Sequence, residues 1–129
     1  MKYLLALSGV EAAPEGQPSP DEMAAMMQPW ADYGQALSEA GAYVAGEGLQ
    51  PSSTARSVDL QGGGEPIVTD GPFAETKEQL GGFYLLECPS IEDAVEWAKK
   101  VPGGGKVEVR PVMDFSEFGY ESPGTEESS

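Results

Sequence analysis

The residues with the strongest chemical character lie in one run, Thr69-Asp70-Gly71-Pro72-Phe73-Ala74-Glu75-Thr76-Lys77-Glu78, which continues into Gln79-Leu80-Gly81-Gly82. Asp70 has a turn-forming setting. Its carboxylate can accept backbone N–H bonds, Gly71 permits conformations that other residues avoid, and Pro72 fixes the next φ. Phe73 can anchor such a loop in a core. A partly desolvated carboxylate held there can act as a base toward a proton beside a carbonyl. Lys77 can stabilise the enolate or carboxylate that results. Glu78 flanks the pair on what reads as a short helical turn. The plainer reading is that Asp70 only ties its own turn together, with Lys77 in a surface ion pair to Glu75 or Glu78.

Further candidates lie outside this run. Glu47 sits between Gly46 and Gly48, where missing side chains leave room for a ligand, although a solvated strand carboxylate looks the same. Tyr33 and Trp30 can wall a pocket or pack a core. Arg110 and Glu108 share a face of one strand; Arg110 holds a ligand, or pairs with Glu108 or across a dimer interface. There is no histidine, which removes the commonest general base near neutral pH and the commonest transition-metal ligand. Zinc hydrolysis and Ser-His-Asp or Cys-His chemistry are thereby disfavoured. Cys88 is the only cysteine; amid apolar neighbours it reads as a buried small hydrophobe. Gly62-Gly63-Gly64 lacks the Lys-Ser/Thr and helix of a phosphate loop and reads as a hairpin tip. No metal site or cofactor motif emerges, so any chemistry is expected to be cofactor-independent.

Composition narrows the partners. The chain has 129 residues, enough for one domain, with 22 acidic against 7 basic residues and a formal charge of −15. Such a surface repels nucleic acid and anionic membranes. Residues 3–7 are too short a run for a signal sequence, and no segment approaches the ~20 apolar residues of a membrane span. With no disulfide, the expected compartment is the cytoplasm.

The elements that must hold these residues follow from periodicity. Residues 2–8 and 82–88 are nearly continuous apolar runs and read as central strands. Residues 106–112 alternate, as an edge strand does. Residues 42–48 read as a strand weakened by glycine, and 54–60 with 66–69 as a hairpin. A long helix is predicted from the Ser19/Glu22 capping box to Gly41, with Pro29 kinking or splitting it. Its stripe of Met23, Met26, Met27, Trp30, Gly34 and Leu37 reads as core, with a methionine wall lining a ligand pocket as the alternative. A second helix is predicted from Ser90 to Val101. Residues 1–113 form the domain. The stretch after them is acidic and reads as a disordered tail. The order strand, helix, strands, strand, helix, strand predicts an α+β, ferredoxin-like split βαβ sandwich: an antiparallel sheet, two helices on one face, and an enlarged central hairpin. The apolar second face of the sheet calls for a partner, most simply a second copy of the chain.

The sequence resembles the YCII-related family, in particular its DGPF branch, named for Asp70-Gly71-Pro72-Phe73. Met1-Lys2-Tyr3-Leu4-Leu5, Val44-Ala45-Gly46-Glu47-Gly48-Leu49-Gln50-Pro51 and Val107-Glu108-Val109-Arg110-Pro111-Val112 are similar to family segments too. The resemblance implies a ferredoxin-like dimer. It also implies kinship with a dehydrochlorinase acting on a chlorinated hydroxyquinol, a fold like that of muconolactone isomerase, and genes that neighbour some sigma factors. The His-Asp pair proposed as catalytic in the YCII branch proper has no counterpart here, for want of a histidine. Two functions are therefore expected: a lyase, isomerase or dehydrohalogenase with a carboxylate base, or a non-catalytic ligand-binding or stress-response module linked to a sigma factor.

Overall fold

A computed structural model describes residues 1–10, 19–72 and 78–119. Strand β1 (Lys2–Val10) leads to helix α1 (Pro20–Glu39) and β2 (Tyr43–Gly48). A hairpin of β3 (Arg56–Asp59) and β4 (Ile67–Asp70) follows, then β5 (Glu78–Glu87), helix α2 (Ile91–Ala98) and β6 (Lys106–Pro111). The chain is α+β. Its main sheet has the order β2-β5-β1-β6, with every neighbouring pair antiparallel. The two most apolar strands are thus the central ones, each with a neighbour on both edges.

The ends of α1 have local causes. Ser19 Oγ accepts from the Glu22 N–H at 3.1 Å, and the Ser19 N–H donates to Glu22 Oε1 at 3.0 Å, completing a capping box. At the other end Gly41 adopts φ +71°. This lets the Ala42 N–H reach the Leu37 carbonyl at 2.9 Å and the Gly41 N–H reach that of Ser38 at 3.0 Å, the two bonds of a Schellman stop. Pro29 does not split the helix, which runs through it for 20 residues. One missing N–H among so many bonds is tolerated when both ends are capped. Ser90 caps α2, accepting from the Asp93 N–H at 3.3 Å.

One face of the sheet meets both helices. Tyr3 and Leu5 of β1, Leu86 of β5 and Cys88 just beyond it form a buried core with Tyr33 and Leu37 of α1, Ala42, and Ala94 of α2. The three largest side chains there, Leu5, Leu37 and Leu86, are wholly buried. Burial also pushes the Cys88 thiol above its usual range.

Three expectations need correction. The methionines are not core: Met23, Met26 and Met27 are 44%, 60% and 51% exposed. The N-terminal half of α1 overhangs the sheet, so its apolar stripe outruns the core. Glu78 does not sit on a helical turn. It opens β5, and Gly81 and Gly82 lie within the ladder. The stretch beyond residue 113 is not featureless, since Phe115–Phe118 form a 3-10 turn capped by Asp114. Residues 120–129 lie outside the described part.

Candidate functional site

The overhang of α1 has a counterpart below it. Gly46 and Gly48 of β2 and Gly82 of β5 leave the sheet without side chains there, and Gly48 pairs directly with Gly82. Between helix and floor lies a cleft of about 500 Å3. Its roof is a single stripe of α1, Met27, Trp30, Gly34 and Ser38, spaced by three or four residues as one helical face requires. Its far wall is Tyr84 with Tyr43. A smaller cleft of about 350 Å3, reaching the Gly103–Gly105 loop, adjoins it across Trp30, Leu7 and Gly81.

The Tyr84 ring is fixed from two sides. Tyr33 meets it edge-on, centroids 5.2 Å apart, and Gly46 makes room for it. Tyr33 is itself tied down, its hydroxyl donating to the Trp97 carbonyl at 2.8 Å. Burial pushes the Tyr84 phenol above its usual range, and Tyr43 beside it adds to the shift. The Tyr84 hydroxyl therefore stays protonated, as a hydrogen-bond donor, at neutral pH. Tyr43 carries a second phenol hydroxyl beside it. Neither makes a hydrogen bond to another described residue.

Asp70 ends β4, its side chain 89% exposed, and is held in an ion pair with Arg56 at 3.2 Å. It does not line the cleft. Phe73 and Lys77 lie outside the described residues. Glu78 pairs with Lys106 at 2.9 Å. Arg110 pairs with Glu108, its Nε donating to Oε2 at 2.9 Å. Glu47 does line the cleft; strand alternation sends its carboxylate to the sheet face opposite Gly46 and Gly48. Tyr33 stands behind the wall it supports. The structure thus brings only the backbone of Glu47 to the cleft, keeps Tyr33 behind its wall, and leaves Asp70, Glu78 and Arg110 in surface ion pairs elsewhere. Sequence reasoning missed Tyr43 and Tyr84. The available signal was the set of glycines at 46, 48, 81 and 82, which marks the vacant floor without naming the side chains around it.

A family model described as "YCII-related domain" matches residues 1–116, a span containing both helices and every strand. The chain belongs to the YCII-related family. Another protein, printed as uncharacterized, from Rhizobium meliloti (strain 1021), is 48% identical over 64 residues. That match covers 46% of this chain and 52% of the relative, about half its length. In this YCII-related chain the span of the family model, residues 1–116, takes in both the cleft and the Asp70-Gly71-Pro72 corner. Among the described residues no group of His, Cys, Asp or Glu is arranged to hold a metal ion. No described helix is long and apolar enough to cross a membrane.

Proposed function

We propose that this YCII-related protein binds a small molecule in the cleft beneath α1. Gly34 carries the reading. A glycine inside a helix costs about 0.5–1 kcal/mol relative to alanine. A β-carbon added at Gly34 would meet nothing within 4 Å, so packing does not demand the glycine. What the glycine preserves is open space over a floor that is itself glycine, beside two phenol donors.

The test is Gly34→Leu, which places a side chain in that space. A thermal-shift screen with phenols, ketones, lactones and small carboxylates supplies the ligand. At about 100 times its dissociation constant a ligand adds roughly 2.7 kcal/mol. Loss of the ligand shift in Gly34→Leu, with the unliganded protein at least as stable, is the expected result. A shift that survives the substitution unchanged would remove the cleft from consideration.

The second reading adds catalysis, with Asp70 as the base of a lyase, isomerase or dehydrohalogenase and Lys77 as its electrostatic partner. It is favoured by continuity of the chain. The run that begins at Asp70 enters β5 and reaches Gly81 and Gly82 in the cleft lining. Turnover abolished by Asp70→Asn, with binding retained, is its signature. Binding without turnover is the signature of a ligand-sensing module, such as one linked to a sigma factor. The strand order supports a ferredoxin-like reading of the fold. Leu4, Ala6, Phe83 and Leu85, on the sheet face away from the helices, support a homodimer, and a cytoplasmic setting is part of the same reading.

A further inference from the structure

The cleft has a charge character as well as a shape. Among the described residues that line it there is no lysine and no arginine, and Glu47 contributes its backbone while its carboxylate faces the other side of the sheet. The whole chain carries −15. A carboxylate entering such a site leaves water and finds no counter-charge among the described residues, and burying an unpaired charge costs far more than burying a neutral polar group. The long-range field opposes its approach as well.

The polar groups on offer are of one kind. Tyr84 and Tyr43 each present a phenol hydroxyl without a hydrogen-bond partner among the described residues. Tyr84 is held in place by Tyr33 at 5.2 Å and by its fit over Gly46, so its donor is pre-positioned. The other surfaces are flat or soft: Trp30 and Met27 above, glycine backbone below. A cleft with aromatic walls suits a ring, which buries apolar faces at little conformational cost.

We infer that the ligand is an uncharged, planar ring compound bearing a carbonyl-type oxygen, which accepts hydrogen bonds from Tyr84 and Tyr43, and that anionic analogues are rejected. This rests on the cleft being the ligand site, and the experiment separates the two claims. In a Trp97→Phe background Trp30 is the sole tryptophan, so quenching of its emission reports on occupancy of the cleft. Three probes share one ring system: 2-acetylnaphthalene, 2-naphthoate and naphthalene. The ketone is expected to bind about tenfold or more tightly than the carboxylate. Tyr84→Phe should weaken the ketone by roughly 3- to 10-fold, the size of one hydrogen bond, and leave naphthalene unchanged. Tyr43→Phe provides the same comparison at the second donor should Tyr84→Phe fold poorly. Carboxylate binding equal to or tighter than the ketone would overturn the ligand class while leaving the cleft as the site. Ketone affinity untouched by both tyrosine substitutions would overturn the assignment of the donors. Failure of all three probes to quench Trp30 would overturn the cleft itself and this inference with it.

Discussion

The ring of Tyr84 occupies the place where residue 46 would carry a side chain: a β-carbon built on Gly46 falls 2.6 Å from Tyr84 Cδ1 and 2.9 Å from Cε1. No rotamer of alanine relieves that contact, and the ring cannot swing freely because Tyr33 packs against it. Gly46→Ala should therefore cost about 1–3 kcal/mol, the usual range for overpacking. In a Tyr84→Ala background the extra cost should vanish. Urea denaturation of the four proteins gives the coupling directly. Strict additivity of the two single changes would mean that the ring is not what excludes the side chain.

Gly34 makes the opposite case. Gly34→Ala should raise stability by about 0.5–1 kcal/mol, since the helix gains propensity and the methyl meets no neighbour. Calorimetry should show a melting temperature a few degrees higher. An unchanged or lower value would mean that the helix surface at this point is tighter than the geometry describes.

The start of α1, the stop at Gly41 and the central strands were legible because each rests on local chemistry: a hydroxyl three residues before a carboxylate, a positive φ, an unbroken apolar run. The start of β5 was not, because Glu78-Gln79-Leu80 carries no strand pattern and is placed by pairing with residues 8–10 of β1. The methionines misled for a similar reason. A helical stripe of Met23, Met26 and Met27 looks alike whether it meets a packed floor or an empty one, and the floor is set by glycines on other elements, Gly46 and Gly48 of β2 and Gly82 of β5. The tyrosines of the cleft were hidden too, because Tyr84 lies within an apolar strand and reads as core.

The pH dependence follows from burial. The phenols of Tyr33 and Tyr84 and the thiol of Cys88 are all raised above ordinary values of 10.0 and 9.0, with desolvation as the largest cause. A group raised in the folded state adds stability that is complete below its unfolded value and fades as pH climbs, because the unfolded chain then releases protons more readily. Unfolding free energy should be insensitive to these groups at neutral pH and fall from about pH 9 upward, first through Cys88 and then through the tyrosines. Tyr33→Phe should flatten the steeper part above pH 10. An identical alkaline profile in that variant would assign the loss to other groups.

Asp70 offers a separation of stability from chemistry. Its pair with Arg56 is exposed on both sides, and such pairs contribute about 0–1 kcal/mol. Asp70→Asn should fold with nearly native stability by circular dichroism and urea titration. A loss of turnover in that variant then reports on proton transfer. A stability loss of several kcal/mol would instead make Asp70 a structural anchor of its hairpin.

Among the described glycines the tightest backbone approach lies at Gly105, where φ is +108° and an added β-carbon would collide with the Ser8 carbonyl oxygen. Gly105→Ala should be among the most damaging glycine substitutions, costing about 2–4 kcal/mol, because both conformation and space oppose it. Thermal denaturation is sufficient to check this. A loss below about 1 kcal/mol would show that the 103–105 loop can move off β1.

Among the described strands β3 and β4 pair only with each other and contribute no strand to the four-stranded sheet. Their connection therefore has no register to keep with the sheet that carries the cleft, and loop closure grows costlier only slowly with length. In descendants of this sequence residues can be gained or lost between Asp59 and Ile67 while the cleft keeps its form.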